Sequence, residues 1–194
     1  WRVLRTSPAF TAVAVLTLML GLALTTTVFS WIDTLLLRPL SGVSAGHQLV
    51  TFESVEPGGE GHNISYLDYL DYRHHLKLVA GLAVSDSHAF SLGEGERAER
   101  VWGELVSGNF FDVLGVRAFL GRFFLREEQG DQPVPYPVAV ISHRLWRSRF
   151  QADSSAVGRT LRVNRRELTI VGVAPPDFYG TSRGRVFEMW VPLR

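Results

Sequence analysis

Residues 7–32 read SPAFTAVAVLTLMLGLALTTTVFSWI, and none of these side chains is charged. A helix that crosses the hydrocarbon core of a bilayer needs about 20 mostly apolar residues, and this run is longer. In lipid every backbone N–H and C=O must be satisfied within the segment, which a helix achieves. A helix buried in a soluble protein normally keeps one polar face. Thr25, Thr26 and Thr27 do not make one, because threonine can bond back to its own helix backbone. A secretory signal is the competing reading, but its apolar core runs to about 7–15 residues and ends in a small-residue cleavage site. Here the sequence continues as DTLLLRPL without such a site. The run therefore reads as a retained transmembrane helix, with Gly21 and Ala23 small enough to let another helix approach. Arg2 and Arg5 favour a cytoplasmic N-terminus, a bias that Arg38 at the other end reduces. That orientation places everything from about Leu40 outside the cytoplasm.

The remainder is the size of one ordinary domain. At 46% hydrophobic and 11% aromatic residues, the chain is too apolar for a solvated tail. Cysteine is absent, which excludes a disulfide framework and a thiolate metal site and fits any compartment. A net charge of +1 gives no field that calls for nucleic acid. The charge is unevenly placed: residues 38–131 carry 8 Lys+Arg against 14 Asp+Glu, and residues 132–194 carry 10 against 4. This reads either as two complementary surfaces or as ordinary drift in composition.

Arg38-Pro39-Leu40 should end the helix, and Ser41–His47 reads as a Gly/Ser linker. Leu49–Ser54 alternates as a strand does, and Glu56–His62 is a loop by its Pro and Gly content. Ser65 opens a helix over SYLDYLDYRHHLKL, with Asp68 placed for a capping box. Leu67, Leu70 and His74 share one face of it, and Tyr66, Tyr69 and Tyr72 run beside. Leu82–Phe90 and Ala98–Val106 read as a hairpin about the turn Leu92-Gly93-Glu94-Gly95. Ser107 is placed to cap a short helix closed by Gly115. Val138–Ile141 reads as a buried strand, and Ser142 caps the helix HRLWRSRF. Leu161–Val163 and Leu168–Val173 flank Asn164-Arg165-Arg166 as a second hairpin, which Pro175-Pro176 ends, and Phe187–Pro192 is the last strand. Strands and short helices alternate without a regular βαβ repeat, so the outer domain is expected to be α+β.

Three constellations invite chemistry. Asp68, Asp71 and His75 fall at i, i+3 and i+7 of one helix, with His62 and His74 nearby, which is the spacing of a divalent-metal face. They match no recognised ligand motif, and a solvated acidic face is the plainer reading. Ser142-His143 resembles a hydrolase pair, but no G-x-S-x-G elbow surrounds the serine and its capping position already accounts for it. Arg144, Arg147, Arg149, Arg159, Arg162, Arg165 and Arg166 form a basic region suited to anionic lipid headgroups or an acidic partner, or simply to solvent. Gly58-Gly59 and Gly93-Glu94-Gly95 are turn glycines and match no phosphate-cradling loop, so the chain is not expected to bind or hydrolyse ATP itself. No catalytic, cofactor-binding or metal residue is assigned.

Four segments together resemble one family. They are LRTSPAFTAVAVLTLMLGLALTTTVFSWIDTLLLRPL, SYLDYLDYR, SGNFFDVLGVRAFLGRFF and VAVISHRLWRSRFQADSSAVGRTLRVNRRELTIVGVAPPDF. In their order and spacing they look like the N-terminal part of an ABC-transporter permease of the MacB/FtsX type, closest to the duplicated orphan permeases of acidobacteria. The resemblance implies an N-terminal segment with one transmembrane helix, residues 1–40, and a MacB-like periplasmic core domain of mixed α/β structure, residues 41–194. A complete permease of this type carries further membrane helices near its C-terminus, so this sequence reads as a fragment of one.

The resemblance also implies a function. Residues of this domain would pass movement of membrane helices to the periplasm (mechanotransmission), driving export or envelope remodelling, while a separate ATP-binding subunit hydrolyses ATP. Implied partners are that subunit, the lipid bilayer, a second copy or second permease half, and a periplasmic or envelope protein. The inner membrane is the implied location. Gly115, Gly121, Arg122 of the family's G-R-x-F pattern, Gly158-Arg159-Thr160, Gly172, Pro175 and Pro176 match the family as structural positions. Two other classes stay open: a stand-alone anchored binding or regulatory module without an ATPase, and a secreted enzyme with a cleaved signal.

Overall fold

The computed structural model describes residues 8–32, 42–43, 46–52, 54–55, 61–62, 64–93, 98–125, 128, 137–182 and 184–193. Arg2, Arg5, the Arg38-Pro39-Leu40 stop, parts of the Ser41–His47 linker, Gly58-Gly59 and Glu94-Gly95 lie outside the described residues. Two compact units compose the chain, residues 1–38 and 39–194.

The described residues of the first unit form a helix, α1 (Pro8–Ile32). At 1.5 Å per residue its length is about 37 Å, enough to cross the hydrocarbon core. Its apolar side chains from Phe10 to Ile32 are largely exposed within the unit. The threonine hydroxyls turn inward on the helix: Thr17, Thr25, Thr26 and Thr27 donate to the carbonyls of Val13, Gly21, Leu22 and Ala23. Each hydroxyl therefore meets its hydrogen-bonding demand without a polar neighbour, and the helix offers no polar face. It is long and apolar enough to cross a membrane.

The second unit is α+β. Its elements are β1 (Ser54–Val55), β2 (Gly61–His62), α2 (Tyr66–His75), β3 (Ser85–Leu92), β4 (Glu99–Val106), α3 (Phe110–Leu114), β5 (Leu120–Gly121), β6 (Val138–Ile141), α4 (His143–Phe150), β7 (Thr160–Val163), β8 (Arg166–Val173) and β9 (Met189–Pro192). β1 and β2 pair with each other, and the other strands run in the order β5-β8-β6-β9-β4-β3-β7. Because β7 also pairs with β8, six strands curl into a ring that closes where Leu92 meets Val163. Asn164 secures that corner: its N–H donates to the Ser91 carbonyl at 2.9 Å, and its Oδ1 accepts from the Ser91 N–H at 2.8 Å.

Two cores lie on the two faces of this sheet. All six ring strands contribute to one of them, for example through Phe90, Val101, Ile141, Val163, Ile170 and Met189, and Leu145 and Trp146 of α4 pack into it. The other is aromatic, built from Phe110, Phe111, Phe124, Phe178, Phe187 and Trp190. A sheet covered on both faces requires strands without a polar side, which is why β6 and β9 are buried at every position. In β8 a bulge between Ile170 and Gly172 changes the phase. Ile170 and Val173 therefore share one core while Val171 enters the other.

Several expectations hold and several move. The Ser65–Asp68 capping box forms on both sides, and the Asn164-Arg165 hairpin turn has φ of 49° and 65°, the two left-handed residues of a type I′ turn. The expected strand Leu49–Ser54 is not one from Leu49 to Phe52: among the described residues of this region, pairing joins Ser54–Val55 to Gly61–His62, the latter at the end of the expected loop. In α2 the inward residue is Tyr69, while Leu67 is 73% exposed. The Tyr69 hydroxyl reaches the Leu82 carbonyl and Asn109, so Tyr69 docks while Leu67 and Tyr72 stay exposed. Ser107 does not cap α3. Asn109 takes that position without a side-chain bond, and the Ser107 hydroxyl instead accepts from the Val84 N–H at 3.1 Å, tying β4 to the chain entering β3.

Candidate functional site

β4 carries a glutamate, Glu104, in a run of apolar residues, and it is fully buried. Its carboxylate accepts from Trp190 Nε1 at 2.7 Å, from the Thr181 hydroxyl at 2.8 Å and from the Thr181 N–H at 3.3 Å. Burial is the main influence on it and raises its pKa above 4.5, against the lowering effect of the Thr181 and Trp190 donors. Thr181 belongs to residues 174–188, the connection from β8 to β9, which lies over β3 and β4. There the Thr181 and Ser182 hydroxyls also meet Ser85 and Ser87 of β3 at 3.1 and 3.3 Å. On its outer side Arg185 sits over the Trp102 ring, 4.3 Å from the centroid. Gly180 beside the carboxylate has φ 98°, and a Cβ there would stand 2.2 Å from Phe187 and 2.9 Å from Glu104.

Residues 42–43 meet the same connection. A Cβ on Gly42 would lie 3.0 Å from the Phe178 backbone, and Val43 packs against the aromatic core. Residues 42–43, 174–188 and β4 therefore form one continuous contact.

A second buried carboxylate, Glu188, closes the opposite corner. It accepts from the Ser142 hydroxyl at 2.5 Å and from Arg144. The Ser142 N–H in turn donates to the Glu188 carbonyl at 2.8 Å. Ser142 also caps α4 by accepting from the Leu145 N–H at 2.9 Å. Ser142 and His143 are not a catalytic pair: the hydroxyl is committed to Glu188, and the His143 ring packs on Phe119 and Trp146.

The remaining candidates disperse. Asp68 is consumed by the cap, and the His75 ring meets the Asp71 carbonyl at 2.8 Å. Among the described residues no group of three or more His, Asp or Glu side chains converges as a metal site would. Within the basic region Arg144 binds Glu188 and Arg159 binds Asp153, leaving Arg147, Arg149, Arg165 and Arg166 as exposed cations. Asp153 is lowered in pKa mainly by the Ser155 hydroxyl and N–H, with Arg159 adding to it.

The family-matched positions have structural causes. Gly121 has φ 71°, and a Cβ there would meet the Val171 carbonyl at 2.4 Å; one on Gly172 would meet the Arg122 carbonyl at 2.1 Å. Arg122 makes a bidentate pair with buried Glu128 at 2.8 and 2.7 Å. Burial opposes ionisation of Glu128, yet Arg122 and the Leu125 N–H outweigh it and hold its pKa below 4.5. Gly115 closes α3 at φ 65°. Gly158 adopts φ 92° and donates to the Ile170 carbonyl. Sequence reasoning missed Glu104, Thr181 and Glu188, although a lone glutamate inside WGELV and another inside FEMWV carried the signal.

A broad open groove lies beside α2, lined by Tyr69, Leu78, Leu82, Phe90, Leu105 and Val191. Near it Leu78 and Val50 are 96% and 72% exposed.

Among the described residues the buried carboxylates hold loops and strands in place. The sequence profile described as MacB-like periplasmic core domain matches residues 11–194. The chain is 30% identical over 87 residues to the macrolide export ATP-binding/permease protein MacB of Neisseria gonorrhoeae, covering 45% of this chain and 13% of that protein. It is 26% identical over 132 residues to the MacB of Chlorobium luteolum, covering 66% and 19%. It thus spans less than a fifth of the length of these curated relatives. In three dimensions it is similar to the periplasmic region of MacB from Actinobacillus actinomycetemcomitans, with a TM-score of 0.55, 18% identity, and 73% of this chain and 62% of that one covered. With its profile matched over nearly the whole length, the chain belongs to the MacB-like periplasmic core domain family, the periplasmic part of MacB/FtsX-type ABC permeases.

Proposed function

We propose that this chain is the membrane-anchored periplasmic part of an ABC-type permease and that it works by mechanotransmission. ATP-driven movement of membrane helices is passed to the folded domain, which acts on export or on the envelope. The supporting observation is the pairing of a membrane-length apolar helix, α1, with a domain of the MacB-like periplasmic core family whose buried carboxylates serve as fasteners. In this reading residues 1–40 are the cytoplasmic N-terminus and anchor, residues 41–194 the periplasmic domain, and the bilayer is the bacterial inner membrane. ATP is hydrolysed by a separate subunit. A second copy or second permease half completes the membrane part, and the exposed apolar residues beside the α2 groove meet a periplasmic or envelope partner. The coupling consists of contacts that differ between two states biased by ATP binding elsewhere.

Topology tests this directly. The sequence has no cysteine, so Arg149→Cys on the exposed face of α4 gives a clean label site. In intact cells with a permeable outer membrane, a membrane-impermeant maleimide should label it without lysis. Labelling only after the inner membrane is opened would overturn the reading.

A further inference from the structure

We propose that residues 174–188 act as a strap that joins the segment leading out of α1 to the sheet, fastened through Thr181 to the buried carboxylate of Glu104. The inference rests on the mechanotransmission reading and names the element that carries the movement. Three observations converge on it. Beside its buried aromatic contacts the strap makes polar ones to the sheet, from Thr181 and Ser182 to Glu104, Ser85 and Ser87. Next, the strap's inner aromatics, Phe178 and Phe187, are buried with Trp190, whose indole N–H is held by the same carboxylate. Movement of the strap and of β9 is therefore tied at one atom group. Finally, Gly42 lies against the backbone of Asp177 and Phe178 so closely that a Cβ would stand 3.0–3.1 Å from it. Gly42 is ten residues beyond the end of α1 in sequence.

The fastener has a specific polar logic. Thr181 donates to Glu104 and faces Ser85 at 3.1 Å on its other side. A glutamine at position 104 turns its amide oxygen to Thr181, where it accepts from both the hydroxyl and the N–H, while its amide nitrogen faces Trp190 Nε1 and leaves that indole without an acceptor. Glu104→Gln should therefore keep the strap seated. Thr181→Val, of nearly the same shape, removes the hydroxyl and with it both contacts, while leaving Trp190 and the aromatic core untouched.

Hydrogen exchange on the full chain in detergent micelles reads this out, peptide by peptide. Thr181→Val should speed exchange in peptides covering residues 176–184 about tenfold, the effect of losing one hydrogen bond to a charged acceptor. Peptides covering residues 42–52 should speed up with them, β6 and β8 should keep the wild-type rate, and Glu104→Gln should resemble wild type. An oxidised Ser87→Cys/Ser182→Cys disulfide in the Thr181→Val background should return both regions to slow exchange. Three results would overturn the proposal: strap rates unchanged by Thr181→Val, a loosened strap with residues 42–52 unmoved, or loosening spread equally over β6 and β8. The measurement needs no ATPase, so its failure removes the strap and leaves the transporter reading standing, and the reverse holds.

Discussion

Gly172→Ala tests whether the closeness of two backbones, and not chain flexibility, selects glycine in this fold. The added Cβ would lie 2.1 Å from the Arg122 carbonyl oxygen and 3.0–3.1 Å from Arg122 C and N. All three atoms belong to backbone, so no side chain can swing aside. Restoring ordinary contact requires the strand at Gly121–Arg122 to retreat by about 1 Å or more, given normal contact distances. Two hydrogen bonds bind that strand to β8, from Arg122 N–H to the Val171 carbonyl at 3.0 Å and from Phe119 N–H to the Val173 carbonyl at 2.9 Å. Each is worth about 1 kcal/mol net, and more where a buried donor is left unpaired. Retreat also loosens Phe124, which is buried in the aromatic core. The expected loss is about 3–5 kcal/mol. Gly158→Ala is the control. Its φ is 92°, but nothing lies within 4 Å of the added Cβ, so it should cost only the backbone penalty of about 1–2 kcal/mol. Urea unfolding of the full chain in micelles, followed by the fluorescence of buried Trp146 and Trp190, measures both. A Gly172→Ala variant within about 1 kcal/mol of wild type, or a Gly158→Ala variant that is equally damaged, would refute the steric argument.

The two buried glutamates on opposite sides of the carboxylate range give opposite pH behaviour. Glu104 is raised above 4.5, so the stability tied to its protonated form is full below 4.5 and falls as pH rises through its folded value. Glu104→Gln should gain on wild type as pH increases across that range, which thermal melts at stepped pH would show. Glu128 is lowered, so its contribution is present above 4.5 and is lost as pH falls through the folded value. Glu128→Gln should trail wild type most at neutral pH, with the gap closing in acid on the same melts. Ser142→Ala removes the α4 cap and one partner of Glu188, and urea midpoints should place its cost at about 1–3 kcal/mol. Arg165→Gly relieves a left-handed residue at φ 65° and should stabilise by about 0.5–1 kcal/mol on the same assay.

Features whose cause is local were readable in the sequence. α1 is set by the absence of charge, the caps at Ser65 and Ser142 by a hydroxyl ahead of a helical run, and the Asn164-Arg165 turn by two strands it joins. Features decided by distant partners were not readable. Ser107 looks like a cap until Val84, 23 residues earlier, claims its hydroxyl. Leu67 and Leu70 share one face of α2, and nothing in the sequence singles out Tyr69, which docks because Leu82 and Asn109 supply partners for its hydroxyl. Arg144 was grouped with a basic surface, and only the return of β9 brings Glu188 to it. The Glu104 fastener depends on contacts 77 and 86 residues apart in sequence, beyond any local pattern. Ring closure of the sheet at Leu92 and Val163 is likewise a product of topology.

The central claim is that this domain works in an ATP-driven permease. Co-purification tests it most directly: the full-length protein is extracted from its native membrane in mild detergent, pulled down, and assayed for an accompanying ATP-hydrolysing subunit. The account predicts a stoichiometric ATPase that remains through the wash. A clean pull-down with no ATPase, under conditions where a control transporter retains its own, would contradict it and favour a stand-alone anchored binding module.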